Sequence, residues 1–172
     1  MKIKEKLLSK HFILSLGIIL GVVFWDIFTK IITDGFEITV IKNVLSFYST
    51  QNTGGAWSIL SNATWLLTVF SCLAVVGIVV FDFVFFKKQT KLYTVAYALI
   101  LGGAIGNLID RIFLGYVRDF IRLDFIKFPI FNLADMCLVA GVICMCVFII
   151  FIYPKLDKKS GSEKVEDNNN AR

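Results

Sequence analysis

The sequence predicts an all-α integral membrane fold, four transmembrane helices topped on the outer side by a small platform and lid. Three observations carry that expectation. Of the 172 residues, 57% are hydrophobic and only 18% charged, whereas soluble domains carry about a quarter charged. Four apolar runs, 12–33, 63–86, 92–110 and 134–153, approach the roughly 20 residues that a span requires. Within such runs the backbone must satisfy its own hydrogen bonds, so all four are expected to be helices. The lysines are the third observation. Lys2, Lys4, Lys6 and Lys10 precede the first run, Lys87, Lys88 and Lys91 separate the second from the third, and Lys155, Lys158 and Lys159 follow the fourth. On a four-span chain these segments share one side, which places both termini in the cytoplasm and residues 34–62 and 112–131 outside. The net charge of +5 thus reads as membrane orientation and speaks against a nucleic-acid partner.

The first run opens like a secretory signal, but it is too long for the apolar part of one and no small-residue cleavage pattern follows; it is expected to remain as the first span. Asp26 and Lys30 lie four apart on its face, the spacing of an intrahelical ion pair. In the outer segment, Phe36, Ile38 and Val40 alternate with Glu37 and Thr39, a weak strand signal, and Gln51 to Trp57 reads as a turn with close backbone approach. In the second span Asp82 stands alone near the inner Lys87. In the third, Gly102, Gly103 and Gly106 include a small-xxx-small spacing suited to tight helix packing. Asn107, Asp110 and Arg111 share one face of that helix, and the adjoining Arg111 makes Asp110 a buried structural pair by expectation. Asp124, in the second outer loop, reads as simply solvated. Residues 1–154 are expected to form one four-helix transmembrane domain and 155–172 a polar cytoplasmic tail. The four cysteines fall within apolar runs and behave as small hydrophobes; with His11 the only histidine, no metal site is expected.

Depth then separates the acids. At 1.5 Å per residue, Asp110 lies about 28 Å from Lys91 and Asp135 about 27 Å from Tyr153, so two oppositely directed helices deliver carboxylates to one level, the outer edge of the hydrocarbon. Asp26 is only slightly deeper, and Asp119 lies in the connecting loop. Acidic groups at such positions are costly and call for a function. Asp135 has no basic residue within a turn on either side, while Asn132 shares its face. Two close carboxylates share one proton, the state in which an aspartyl protease takes a proton from water and polarises a carbonyl. Asp119 and Asp135 are therefore the expected catalytic dyad. His11, on the cytoplasmic side, leaves no Ser–His or Cys–His alternative.

These residues also carry a resemblance. Asp26-Ile27-Phe28-Thr29-Lys30, Asn52-Thr53-Gly54-Gly55-Ala56-Trp57, Gly102 through Arg111, Val117 through Phe120, and Phe131-Asn132-Leu133-Ala134-Asp135 occur in one order across the spans. In these motifs the chain resembles the bacterial lipoprotein signal peptidases, or signal peptidase II. The resemblance implies a four-helix aspartyl endopeptidase of the bacterial cytoplasmic membrane with an extracytoplasmic β-cradle and a short lid helix. It further implies cleavage of diacylglyceryl-modified prolipoproteins on the amino side of the lipidated cysteine, without metal or organic cofactor. The catalytic pair falls on Asp119 and Asp135, and the supporting positions on Asp26, Lys30, Asn52, Gly54, Asn107, Asp110, Arg111, Asn132 and Ala134. Substrate and membrane lipids are the expected partners of a monomer. Three positions depart from the family pattern: Arg118 replaces a small apolar residue before Asp119, Gly55 stands where Ala is commoner, and Met136 where Ser is frequent. Arg118 is expected either to favour ionised Asp119 or to reach a lipid phosphate.

Two other classes compete. A proton-coupled transporter would place its acid near the bilayer midplane, and a non-enzymatic assembly factor gives Asp119 no reason to accompany Asp135. Cleavage of a lipidated precursor separates all three.

Overall fold

A computed structural model describes residues 9–55, 63–85 and 90–157. Among them are four helices long and apolar enough to cross a membrane. Helix α1 (Lys10–Ile32) starts at Ser9, whose hydroxyl accepts a hydrogen bond from the Phe12 amide. Helix α2 spans Thr64–Phe85. Helix α3 (Lys91–Leu114) is capped by Thr90 and stops at Gly115, at φ 80°, a left-handed conformation that glycine adopts without steric cost. Helix α4 (Leu133–Val147) passes into a π-helical stretch, Phe148–Ile152, and the apolar helix continues to Asp157, beyond the boundary at 154 expected from sequence. Helix α3 likewise runs past 110, and Ile112, Phe113 and Leu114 of its last turn stay exposed.

Helix α3 is the centre of the bundle. Within its apolar stretch 56% of residues are buried, against none in α2. The outward side chains, among them Leu20, Phe24, Leu73, Val139 and Ile143, are large and apolar, as a surface solvated by lipid chains demands. The glycine stripe brings α4 and α1 against α3. A Cβ at Gly103 would fall 2.5 Å from the Ala134 carbonyl oxygen, and one at Gly106 would fall 2.6 Å from an Asp26 carboxylate oxygen. The packing role read from the small-residue spacing is what these contacts show.

The sheet is antiparallel in the order β1-β2-β3, with β1 Glu37–Ile41, β2 Leu45–Asn52 and β3 Val117–Leu123. The alternation at 36–40 does mark a strand. The connector carrying Asp119, read as a loop, is instead β3, paired with β2 so that Thr50 faces Asp119 and Asn52 faces Val117. Pairing, not local pattern, makes this segment a strand, since Arg118 and Asp119 interrupt any apolar alternation. Phe131 exchanges backbone hydrogen bonds with Ile121, tying the entry of α4 to the sheet. Of the outer segment 34–62 read as platform and lid, residues 56–62 lie outside the described residues.

Candidate active site

One end of the bundle collects the residues of the expected site, and it does so in two connected layers. The first centres on Lys30, 1% exposed. Its ammonium forms ion pairs with Asp26 Oδ2 at 2.7 Å and Asp110 Oδ2 at 3.3 Å, and donates a hydrogen bond to Asn107 Oδ1 at 3.0 Å. The intrahelical Asp26–Lys30 pair is present as the spacing suggested. Asp26 also accepts from the Ala134 backbone N–H at 2.9 Å, satisfying an amide of the first turn of α4.

The expected Asp110–Arg111 pair is not formed. Adjacent helical side chains diverge, and Asp110 turns inward to Lys30 and to Arg118 of β3, which contacts both carboxylate oxygens at 2.7 and 3.4 Å and donates its backbone N–H to one at 3.0 Å. Arg118 therefore neither pairs with Asp119 nor is committed to a lipid phosphate. Arg111 instead lines a groove shared with Asp119 and Asp135. Two further readings need correction. Asp82 accepts from the Tyr93 hydroxyl at 2.9 Å, a helix-to-helix contact invisible in sequence, and does not stand alone. Asp124 is held by Ser46 and by Arg122, because the β2–β3 register brings Ser46 opposite Arg122.

The second layer holds the expected dyad. Asp135 occupies the third position of α4 and closes a capping box: its backbone N–H donates to Asn132 Oδ1 at 2.9 Å, and its carboxylate accepts from the Asn132 backbone N–H at 3.2 Å. Its other oxygen accepts from Asn107 Nδ2 at 2.7 Å. Asp119, 3% exposed, accepts from Asn132 Nδ2 at 2.6 Å and from Asn52 Nδ2 at 2.9 Å. The Gly54 amide bonds Asn52 Oδ1 at 3.0 Å, which turns the Asn52 nitrogen toward Asp119. Lys30 sets Asn107 in the same way, claiming its oxygen and leaving its nitrogen for Asp135. Burial pushes the Asp119 carboxyl up to about 6; the Asn52 and Asn132 hydrogen bonds oppose that rise, and the charge of Asp135 adds to it.

A groove of about 740 Å³ opens beside the two carboxylates, walled by Leu138, Val139 and Ile143 of α4 and by Phe131. Every site residue expected from sequence is thus gathered here: Asp26, Lys30, Asn107, Asp110 and Ala134 in the first layer, and Asn52, Gly54, Asp119, Asn132 and Asp135 in the second, with Arg111 on the groove wall. Sequence reasoning missed Asn132 as the link between both acids. The Asn-x-x-Asp spacing ahead of an apolar run is a capping signal that could have revealed half of that role.

Four apolar helices, with one amide-held acid on β3 and another at the start of α4 beside an apolar groove, fit the class of multi-pass membrane aspartic peptidases. Comparison with known proteins narrows the class. The family described as "Signal peptidase (SPase) II" matches residues 18–151. A lipoprotein signal peptidase of Enterococcus faecalis is 38% identical over 163 residues, covering 92% of this chain and 95% of its own length. One from Latilactobacillus sakei is 44% identical over 112 residues, 65% of this chain and 74% of the relative. A solved structure described as a bacterial membrane enzyme superposes with a TM-score of 0.73 at 34% identity, over 79% of this chain and 87% of its own. The chain belongs to the signal peptidase II family, the lipoprotein signal peptidases of bacteria.

Proposed function

We propose that Asp119 and Asp135 are the catalytic pair with which this lipoprotein signal peptidase hydrolyses its prolipoprotein, cutting on the amino side of a diacylglyceryl-modified cysteine. The observation that carries the reading is Asn132, which bonds both carboxylates at once and holds them around one point of the groove. With one proton between them, the ionised acid takes a proton from water as the water oxygen bonds to the scissile carbonyl carbon. The protonated partner donates to the carbonyl oxygen. Collapse of the gem-diol adduct breaks the C–N bond: the pair gives its proton to the departing amine and takes one from a gem-diol hydroxyl as the carbonyl re-forms, so the acids return to the singly protonated state. Asn52, Asn107 and Asn132 keep the two carboxyls in place, Gly54 orients Asn52, and the Asp26–Lys30–Asp110 layer, with Ala134, fixes Asn107 and the start of α4. Arg111 supports the substrate from the groove wall.

The lysine asymmetry supports both termini in the cytoplasm, with the sheet and the dyad at the outer face of the cytoplasmic membrane. Residues 1–154 then act as one monomeric peptidase domain in contact with lipid, followed by a cytoplasmic tail at 155–172. Purified protein in detergent should convert a lipid-modified precursor into a fragment whose mass begins at the lipidated cysteine. Release of a fragment starting elsewhere would refute the cleavage position. In a background without native cysteines, a membrane-impermeant thiol reagent applied outside should label a cysteine at Asn43 and leave one at Ser9 untouched; the reverse pattern would overturn the orientation.

A further inference from the structure

A second cleft, of about 440 Å³, meets the groove at the proposed dyad. The two share Asn52, Gly55, Asp119, Pro129 and Ile130, so they are arms of one passage with Asp119 at the junction. Their chemistry differs. The groove is walled by aliphatic residues of α4, whereas the cleft is lined by Thr50, Gln51, Asn52 and Thr53 from the end of β2, and by Lys127 from the segment opposite. Among the described residues no ion pair involves Lys127. Asp119, the other charged residue lining the cleft, already has both oxygens bonded to amides.

The substrate divides in the same way at its scissile bond. The signal peptide and the acyl chains on the cysteine are apolar and need the groove or the surrounding lipid. The mature polypeptide beyond the cysteine is polar, and its backbone amides need partners or water wherever they run. We infer that the polar cleft receives the first mature residues after the lipidated cysteine, and that Lys127 makes the enzyme favour an acidic side chain at the second or third mature position. This inference rests on the dyad assignment above, which puts the scissile bond at the junction of the two arms. Lys127 touches no reacting atom; it acts on substrate choice.

The test is a set of lipid-modified precursors carrying Asp, Ser or Lys at those mature positions, with kcat/KM measured for the unaltered enzyme, Lys127→Ala and Lys127→Glu. An exposed ion pair changes such a ratio roughly two- to fivefold. The unaltered enzyme should therefore cleave the Asp substrate several-fold better than the Lys one. Lys127→Ala should bring the ratio close to one and Lys127→Glu should invert it, while the Ser substrate is cleaved equally by all three. The preference should also shrink at high salt. An Asp-to-Lys ratio unchanged in Lys127→Glu, or loss of Ser-substrate cleavage in that variant, would overturn the inference. Cleavage that survives in Asp119→Asn would instead sink the dyad assignment, with the effect of Lys127 on the ratio still readable in the parent enzyme.

Discussion

Two pairs of carboxylates sit at one end of the bundle, joined through Asn107, and they are held in opposite ways. Asp26 and Asp110 are bound by cations: Lys30 touches both, and Arg118 grips Asp110 with its guanidinium. Asp119 and Asp135 have no cation within ion-pair distance among the described residues, and are held by Asn52, Asn107, Asn132 and a backbone amide. A cation beside a buried carboxylate fixes both partners in place, because removing either one would leave a bare charge in a poor solvent. An amide donor positions the oxygens without placing a full positive charge beside them. The first pair is built for rigidity and the second for proton transfer.

The largest expected effects break the second pair. Asp119→Asn and Asp135→Asn should each lower cleavage at least about a thousandfold while binding of the lipidated precursor persists, and the double variant should be scarcely worse, since residues acting as a unit lose activity non-additively. Substantial turnover by Asp119→Asn, read by gel shift of the precursor, would end the pairing and make Asp110 the candidate partner of Asp135.

Breaking the first pair should act on stability. Lys30→Met leaves two buried carboxylates without their shared cation, a loss of about 3–5 kcal/mol. Thermal melting in detergent should show a large drop in midpoint or a collapse in folded yield; a normal melting curve would mean that the cation is dispensable to the fold.

The contrast sharpens with pH. The carboxyl of Asp119 is raised from 3.8 to about 6, so the folded state binds a proton here more tightly than the unfolded chain does. The stability from this group is therefore present in full below about pH 3.8 and is lost as pH rises through about 6, a change of roughly 3 kcal/mol. Unfolding free energies of the parent enzyme and of Asp119→Asn, compared across that window, should diverge in that direction, and parallel curves would exclude it.

The smallest effect concerns a single amide. The upper limb of the kcat/KM profile, where the pair loses its shared proton, should lie near the Asp119 value of about 6 in the free enzyme. In kcat it should lie higher, because bound substrate removes more water. Asn52→Ala deletes a donor that favours ionised Asp119, so the kcat/KM limb should move up by about one pH unit. A downward shift would show that Asn52 bonds the protonated form.

Much of this was legible in the chain itself. Apolar run length set the four helices, and a strict i, i+4 spacing set the Asp26–Lys30 pair, because both are properties of one continuous helix. Rise per residue placed Asp110 and Asp135 at the same end of the bundle before any packing was known. Partners across elements were another matter. Asn52 reaches Asp119 over 67 residues, Lys30 reaches Asn107 over 77, and Asp26 reaches Ala134 over 108. No periodicity encodes such pairs; they exist because Gly103 and Gly106 let α4 and α1 close onto α3, and because β2 captures the Asp119 connector as a strand. The sequence by itself therefore determined which acids reach this end of the membrane helices. Only the tertiary structure decided which acids meet cations and which meet amides, since that choice depends on side-chain directions fixed by helix and strand packing.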